Sequence, residues 1–195
     1  IRIARDLHDD LGSGLASIGM ESELAVMEAA DTVAREAFKR VSESARNVSD
    51  DMRRIIWAMG SGQESLGDLL AYVRGFAGEM LDQAGVELDF KHEVNDPQRL
   101  LTVEQRKHLV LFTKEALHNV VRHADATVVA FTAHQRNGQV HWSISDNGTG
   151  YDQRTRDGMG TGTISMKERA QQLNAELKVD SAPGEGTSIT LRIPI

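Results

Sequence analysis

The stretch SISDNGTG, residues 143–150, decides how the second half of this chain is interpreted. A predicted strand ends in Asp146 and continues directly into glycines at alternate positions. Such glycines let the backbone approach a ligand closely, and a carboxylate can accept a hydrogen bond from an exocyclic amine such as that of adenine. The same residues also suit an ordinary Asx-type turn, which the DNG sequence alone favours.

The residues around this stretch predict a small sheet covered by helices. Two predicted strands, 127–134 and 139–145, flank Asn137-Gly138, and Asn-Gly is the strongest short signal for a β-hairpin. The other predicted elements are a helix at 66–84, a strand at 86–90, a helix at 103–124 and strands at 176–181 and 187–193. Runs of helices and antiparallel strands predict an α+β sandwich, with helices over one face of the sheet.

Residues 2–60 differ from the rest of the chain in composition and periodicity. They have almost no glycine or proline after Gly19, and their apolar residues follow a helical period. A turn near 29–32 would fold them into an antiparallel hairpin of two helices. The second helix carries an apolar heptad seam: Ala34, Phe38, Val41, Ala45, Val48, Met52, Ile55 and Met59. One hairpin has too little to bury this seam against, so we expect a dimeric four-helix bundle. Periodicity alone favours a plain dimerisation coil.

The sequence MGSGQ, residues 59–63, interrupts the helical pattern and predicts a domain boundary. We expect an all-α helical hairpin at 1–60, followed by an α+β domain at 61–195.

Composition narrows the possible functions. The 195 residues carry a formal net charge of −7, which argues against a nucleic acid or an anionic membrane as the main partner. Cysteine is absent from the sequence, so disulfides and thiolate metal sites are excluded. No apolar run approaches the roughly 20 residues that span a bilayer. The chain opens without Met and without the apolar core of a signal peptide, so we expect a fragment of a longer protein.

The predicted helix at 103–124 carries polar residues on one stripe. Glu115, Asn119, Arg122 and His123 lie at i, i+4, i+7 and i+8. A carboxylate and a carboxamide one turn apart supply oxygen ligands that suit Mg²⁺ with its substrate phosphates, and the two basic residues could contact those phosphates. Taken alone, the stripe is more simply a solvated helix face.

A glycine run, GMGTGT at 158–163, precedes a predicted helix start at 164–170. A glycine-rich loop that leads into a helix offers free N–H groups and a positive dipole end to phosphates. It lacks the Lys-Ser or Lys-Thr pair of a Walker loop and does not follow a strand as a Rossmann fingerprint does. A mobile linker is an equally good interpretation of the run alone. The later GEGT, residues 184–187, could be only a tight hairpin.

The order of these motifs is more specific than any one of them. An acidic and amide helix, a strand ending in Asp-x-Gly-x-Gly, a glycine loop and a final Gly-x-Gly-Thr strand resemble the N, G1, G2 and G3 boxes of the Bergerat ATP-binding fold. The stretch ARDLHDDLGS at 4–13 resembles the phosphoacceptor box of sensor histidine kinases related to the nitrate/nitrite sensors. The sequences IWAM at 56–59 and MKERA at 166–170 match the same family.

The resemblance implies a sensor histidine kinase core that uses ATP and Mg²⁺. Residues 1–60 would be the dimerisation and histidine phosphotransfer hairpin, and residues 61–195 the ATP-binding catalytic domain. The implied reaction is ATP-dependent autophosphorylation of His8, followed by transfer to an aspartate on the receiver domain of a response regulator with a helix-turn-helix output domain. The family implies a homodimer, a cytoplasmic fragment without direct nucleic-acid or membrane contact, and a full-length protein anchored in the bacterial inner membrane.

The family roles carry over by motif. At the helical stripe, Asn119 would coordinate Mg²⁺, Glu115 would assist at the metal, and Arg122 and His123 would lie near the phosphates. In the opening helix, Asp9 beside the histidine would accept the imidazole proton.

The strand ends and loops would form the rest of the ATP site. Asp146 would bind the adenine amine, with Gly148 and Gly150 shaping the floor below it. Gly160 and Gly162 would form the hinge and phosphate wall of a lid. Thr187 would lie beside the adenine pocket.

Three positions depart from the family pattern. Ser13 replaces the Gln or Asn of relatives with strong phosphatase activity, Thr163 replaces a leucine, and Gly158 lengthens the glycine run.

Two rival functions stay open from the residues themselves. One is an ATPase in which Glu115 activates water and the hairpin serves only dimerisation. The other is a degenerate scaffold that senses ATP without turnover.

Overall fold

The computed structural model describes the backbone of residues 2–29, 31–60, 63–152 and 161–195, and the side chains of 14–29, 31–60, 63–152 and 164–195. The chain divides into two compact units, Ile1–Ser61 and Gly62–Ile195. Among the helices so described, none combines the length and hydrophobicity needed to cross a membrane.

The first unit is a hairpin of two long helices, α1 (Arg2–Glu28) and α2 (Thr32–Met59). The turn between them is fixed by Asp31, whose carboxylate accepts hydrogen bonds from the N–H groups of Val33 (3.3 Å) and Ala34 (3.2 Å). This is an N-cap, which satisfies two of the free donors at the start of a helix. The predicted turn near 29–32 therefore has a local chemical cause.

The contact between α1 and α2 is made by small and polar side chains. Ser22, Ser42 and Ala45 are buried, the Ser42 hydroxyl donates to Glu23 Oε1 at 3.2 Å, and Arg46 pairs with the same carboxylate. Much of the apolar surface stays exposed on the single chain: Ile18, Met20, Leu24, Met27, Val33, Phe38, Val41, Val48 and Met59. In the hairpin alone, four of the eight residues of the predicted heptad seam are therefore exposed, namely Phe38, Val41, Val48 and Met59.

Within its described residues, the second unit packs three helices against a five-stranded sheet. Its helices are α3 (Leu66–Gln83), α4 (Val103–His123) and α5 (Thr161–Gln172). Its strands are β1 (Glu87–Glu93), β2 (Val128–Arg136), β3 (Gln139–Asp146), β4 (Glu176–Ser181) and β5 (Thr187–Pro194), in the spatial order β1-β2-β3-β5-β4. This arrangement confirms the predicted α+β class.

One strand differs from the antiparallel pattern predicted above. β1 pairs with β2 in parallel, with Phe90 opposite Phe131, whereas the β2–β3, β3–β5 and β4–β5 pairs are antiparallel. The cause is the connection, because α4 carries the chain back across the sheet between β1 and β2. Parallel neighbours require such a crossover, while antiparallel neighbours need only a turn.

The core lies between the sheet and the helices. Alternate residues of β2 and β3 are buried, among them Val129, Phe131, Trp142 and Ile144, as expected for strands with one face covered. The Trp142 indole N–H donates to Thr113 Oγ1 at 3.0 Å, and both side chains are fully buried. This hydrogen bond joins α4 to β3. It therefore helps to fix the position of the α4 polar stripe relative to the sheet.

Capping boxes define where α3 and α4 begin. Ser65 and Asp68 satisfy each other's backbone N–H groups at the start of α3, and Thr102 and Gln105 do so for α4. Hydrogen bonds from the backbone and then the hydroxyl of Ser65 hold the pKa of Asp68 below its usual value. Neither box depends on a neighbouring ligand, so α4 is built independently of what its last turns bind.

Candidate functional site

The second unit contains a cavity of about 480 Å³ between the C-terminal half of α4, the start of α5 and the ends of β3, β4 and β5. Its lining includes seven residues singled out from the sequence: Glu115, Asn119, Arg122, His123, Asp146, Gly150 and Thr187. These residues come from three separate parts of the chain. The fold therefore brings together the predicted acidic and amide helix and the predicted Asp-x-Gly-x-Gly strand end.

α4 presents two different faces at the cavity. On one face, Leu109, Phe112 and Ala116 are buried in the core of the unit. Glu115 and Asn119 are half-buried on the adjacent stripe and line the cavity. Since residues four apart on a helix are neighbours, a carboxylate and a carboxamide oxygen reach the same side of the cavity.

Asp146 lies at the end of β3 and is 8 % exposed. One of its carboxylate oxygens accepts a hydrogen bond from the Gly148 N–H at 2.9 Å. This is the Asx-type turn expected from DNG. Within the described part of the chain this is the one hydrogen bond of the Asp146 side chain, so the turn leaves the second oxygen available at the cavity wall.

The glycines of this loop are required by the protein's own backbone. A Cβ on Gly148 would lie 2.1 Å from the carbonyl oxygen of Ala124, and a Cβ on Gly150 would lie 2.1 Å from that of Ala182. Gly150 also has a φ of +57°, which favours glycine. The sequence predicted close approach to a ligand, whereas the observed close approach is between two loops that form the wall of the cavity.

The G3-like turn closes the other side of this wall. Gly186 has a φ of +73°, and a Cβ there would lie 2.0 Å from the carbonyl oxygen of Asp146. The Ser181 and Thr187 hydroxyls are 3.0 Å apart, and Ser181 Oγ also donates to the Gly186 carbonyl. Thr187 lies opposite Asp146 in the β3–β5 pair, and its hydroxyl is held by this short hydrogen-bonded turn.

Several predicted site residues are not at the described cavity wall. Gly148 packs behind the wall, against Ala124. Gly162 lies in the first turn of α5, which begins at Thr161, so the prediction that the helix starts at 164 is wrong by one turn.

The predicted roles of the His8 and Asp9 side chains, and that of Gly160, fall outside what the structure describes. His8 and Asp9 belong to the backbone of α1, but their side chains are not described. Of the family departures, the side chains of Ser13 and Thr163 are likewise not described, and Gly158 lies outside the described residues.

The cavity also has lining residues that the sequence reasoning missed. His118, Tyr151, Ser165 and Met166 all contribute to it. His118 is three residues after Glu115, so a stripe wider than the one considered would have included it. Met166 is buried on α5. The sequence could have indicated it, because Met166 belongs to the MKERA stretch that matches the family.

A buried histidine lies near the start of α4. His108 is 9 % exposed, and its Nε2 is 3.1 Å from Glu104 Oε2, while Nδ1 has no hydrogen-bond partner within the described residues. Burial is the largest cause that lowers the pKa of His108, Lys107 adds to it, and Glu104 opposes it. The neutral imidazole is therefore the favoured form in the folded domain.

A mixed sheet with helices on one face, and a cavity between α4 and the glycine-bearing strand ends, define a domain of the Bergerat nucleotide-binding fold. Comparison with protein-family models agrees with this class. Residues 104–195 match the model described as histidine kinase-, DNA gyrase B- and HSP90-like ATPase. Residues 1–64 match a model described as histidine kinase.

Individual relatives agree with both models. The sensor histidine kinase DesK of Bacillus subtilis is 31 % identical over 99 % of this chain and 50 % of its own length. The nitrate/nitrite sensor protein NarX of Escherichia coli is 25 % identical over 97 % of this chain and 31 % of its own length. The histidine kinase domain of the Erythrobacter litoralis EL346 blue-light activated histidine kinase has the same fold, with a TM-score of 0.59 at 17 % identity, covering 97 % of this chain and 94 % of that one.

The chain therefore belongs to the sensor histidine kinase family and is a catalytic core of the nitrate/nitrite-sensor type. It spans about half the length of DesK.

Proposed function

We propose that this chain is an ATP-dependent protein-histidine kinase that phosphorylates His8 and passes the phosphoryl group to an aspartate of a response regulator. The observation that carries the proposal is the cavity that joins Asp146 with Glu115 and Asn119, in a chain that also matches a histidine kinase model at 1–64. A volume of about 480 Å³ is typical of a small-molecule site, and a purine nucleotide fits that size class.

In this proposal Asp146 binds the adenine amine. The oxygen not used by Gly148 is available to accept a hydrogen bond, and a carboxylate accepts from an amine but repels a carbonyl oxygen. Gly148 and Gly150 shape the loop around it, and Thr187 lies next to it. Ile144 and Ile189, which also line the cavity, supply the apolar surface on which a base would lie.

Glu115 and Asn119 are the proposed magnesium ligands. Among the described side chains, no cluster of three or more His, Asp or Glu residues is arranged to hold a metal ion. Mg²⁺ at nucleotide sites commonly takes one or two protein ligands and completes its shell with phosphates and water, and the two oxygen-bearing residues on α4 fit that pattern. When bound, Mg²⁺ would neutralise charge on the phosphates.

The polyphosphate would extend along α4 toward its last turn. Arg122 and His123 are exposed there and line the cavity, and basic groups in the last turn of a helix can contact phosphate oxygens. Gly160 and Gly162 are the proposed hinge and phosphate wall of a lid over this end. Phosphoryl transfer depends mostly on positioning and on charge neutralisation, which these groups supply.

The proposed nucleophile is the neutral imidazole of His8. One ring nitrogen forms a bond to the γ-phosphorus of ATP while the bond from that phosphorus to the β–γ bridging oxygen breaks, and ADP leaves. The other ring nitrogen releases its proton to Asp9, which also offsets the positive charge that develops on the ring. In the second half-reaction, a carboxylate oxygen of the response-regulator aspartate attacks the same phosphorus, the bond from phosphorus to the ring nitrogen breaks, and the imidazole leaves in its neutral form after taking the proton back from Asp9.

The exposed apolar residues of α1 and α2 support a homodimer through the hairpin. Met20, Met27 and Val33 are each more than 60 % exposed, and a second copy would bury such surface in a four-helix bundle.

The proposed phosphoryl acceptor is the receiver domain of the response regulator, which carries a helix-turn-helix output domain elsewhere in that protein. A cytoplasmic location and an inner-membrane anchor outside this chain are proposed on the family resemblance.

Incubation with γ-labelled ATP and Mg²⁺ tests the proposal. We expect label on the protein that is stable in alkali and labile in acid, which is the behaviour of phosphohistidine, and we expect none on the His8→Gln variant. ATP hydrolysis without retained label would support the ATPase alternative. Nucleotide binding without hydrolysis or label would support a sensing scaffold, and either result would overturn the kinase proposal.

A further inference from the structure

The residue next to the proposed amine-binding carboxylate makes an unusual set of contacts. Asn147 Oδ1 accepts hydrogen bonds from two consecutive backbone N–H groups, those of Thr127 (2.9 Å) and Val128 (3.0 Å). Its Nδ2 donates to Thr127 Oγ1 at 2.9 Å. The Asn147 side chain therefore ties the end of β3 to the start of β2, and we call these three hydrogen bonds the Asn147 clamp.

The clamp continues the sheet past its last paired residues. The β2–β3 register ends at Val129 opposite Asp146, and beyond it the Asn147 N–H donates to the Val128 carbonyl at 3.3 Å. The Asn147 carboxamide then accepts hydrogen bonds from the N–H groups of 127 and 128, which lie beyond the β2–β3 register. A side chain thus replaces the missing ladder contacts and holds the loop in register.

The clamp bears directly on the orientation of Asp146. The carboxylate of Asp146 is oriented by the Gly148 N–H. The direction of its second oxygen therefore depends on the path of the backbone through 146–148. That path is held by the Asn147 clamp on one side and by the hydrogen bond from the Thr149 N–H to the Ala124 carbonyl (2.7 Å) on the other. Asn147 is exposed and, within the described residues, is not part of the cavity lining.

We infer that Asn147 is a positioning residue for recognition of the exocyclic amine of the purine, and that it acts through Asp146. The inference rests on the proposed function, because it requires Asp146 to contact that amine. The competing interpretation is that Asn147 only stabilises the loop. The two differ in a measurable way, since a positioning role changes the preference for an amine over a carbonyl at purine position 6, and a general role does not.

The test compares two ligands that differ only at that position. Dissociation constants for ADP and for IDP are measured by titration calorimetry without Mg²⁺, using the whole chain. In Asn147→Ala we expect ADP to bind more weakly by about threefold to tenfold, which is the usual effect of losing one net hydrogen bond, and IDP to change by less than about twofold. The ratio of the IDP dissociation constant to the ADP dissociation constant, which measures the preference for the amine, therefore falls.

The chain contains a matched control for this variant. Gln135 Oε1 also accepts from two consecutive backbone N–H groups, those of Asn95 (2.9 Å) and Asp96 (3.0 Å), at the far end of β2. Gln135→Ala removes the same kind of clamp away from the cavity, so we expect both dissociation constants to stay within about twofold of the parent chain. Asn147→Asp keeps the oxygen that accepts from 127 and 128, so it should restore most of the ADP preference even if Asn147→Ala folds poorly.

Each outcome decides between the two interpretations. Equal weakening of ADP and IDP in Asn147→Ala, or no weakening at all, overturns the positioning role. Asp146→Asn is the variant that tests the proposed function separately, because it keeps the acceptor for Gly148 and replaces the other oxygen by a donor. If Asp146→Asn leaves the ratio of the IDP to the ADP dissociation constant unchanged, amine recognition by Asp146 fails. If Asp146→Asn lowers that ratio and Asn147→Ala does not, only the inference about Asn147 fails.

Discussion

Replacing Gly148 with alanine should damage both the stability of the second unit and its nucleotide site. The added Cβ would lie 2.1 Å from the Ala124 carbonyl oxygen and 2.8 Å from the Ala124 carbonyl carbon. Real Cβ atoms almost never come closer than 3.0 Å, so the two backbone segments must move apart by about 0.9 Å. Both contacts are with backbone, which cannot rotate away as a side chain could.

The magnitude follows from what that movement breaks. Forcing a methyl group into a packed site costs about 1 to 3 kcal/mol. The same movement stretches the Thr149 N–H to Ala124 carbonyl hydrogen bond, now 2.7 Å, whose loss costs about 1 kcal/mol. We therefore expect Gly148→Ala to lower the unfolding free energy by about 2 to 4 kcal/mol. With a urea dependence of about 2 kcal/mol per M, the unfolding midpoint falls by about 1 to 2 M.

The assay uses the tryptophan of the second unit as a local reporter. The chain has two tryptophans, so a Trp57→Phe background leaves the buried Trp142 to report urea unfolding of the second unit by fluorescence. In the same background ADP should bind at least about tenfold more weakly in Gly148→Ala, because the Gly148 N–H orients the Asp146 carboxylate and a hydrogen bond to a charged group contributes about 1.5 to 3 kcal/mol.

The matched control adds the same methyl group where there is room for it. Gly75 lies within α3, and nothing lies within 4 Å of a Cβ built there. Gly75→Ala should therefore stabilise the unit by about 0.5 to 1 kcal/mol through its better helix propensity, and ADP affinity should not change. A Gly148→Ala variant with the midpoint and ADP affinity of the parent would refute the reasoning from backbone contact.

Three further predictions concern α4. Thr113→Val leaves the buried Trp142 indole N–H without its acceptor, so urea unfolding should show a loss of about 1 to 3 kcal/mol. Because burial lowers the pKa of His108 below 6.5, the unfolded chain binds more protons, and the stability of the second unit should fall as the pH drops below about 6.5. His108→Gln should flatten that fall in unfolding measured from pH 8 to 5, and an unchanged pH profile would contradict the assignment. Asn119→Ala should weaken ADP binding measured with Mg²⁺ but not without it, and equal weakening in both conditions would remove Asn119 from the proposed metal site.

The order and type of the elements could be predicted from the sequence because each has a local cause. Capping residues start α3 and α4, Asn137-Gly138 turns the β2–β3 hairpin, and alternation marks the buried side of each strand. The parallel pairing of β1 could also have been predicted. A strand, a helix and a strand in succession form a crossover unit, and such a unit favours parallel neighbours.

The details of the cavity wall could not be predicted in this way, because they depend on contacts between distant segments. The sequence assigned the glycines of SISDNGTG to close approach of a ligand. In the structure Gly148 and Gly150 make room for the carbonyl groups of Ala124 and Ala182, which belong to other loops. Likewise, nothing local identifies the Asn147 clamp, since its partners Thr127 and Val128 lie about 20 residues earlier in the chain.

The two interpretations first offered for Asp146 are compatible once the geometry is known. An Asx turn uses one carboxylate oxygen, here to accept from the Gly148 N–H, and a carboxylate has a second oxygen with its own lone pairs. The turn therefore does not compete with ligand recognition, because it determines where the second oxygen points. A substitution that abolishes the turn should weaken amine recognition even when the carboxylate remains, and Gly148→Ala keeps that carboxylate intact. Its effect on the ADP to IDP preference consequently tests whether the turn orients the proposed amine-binding group or only shapes the loop.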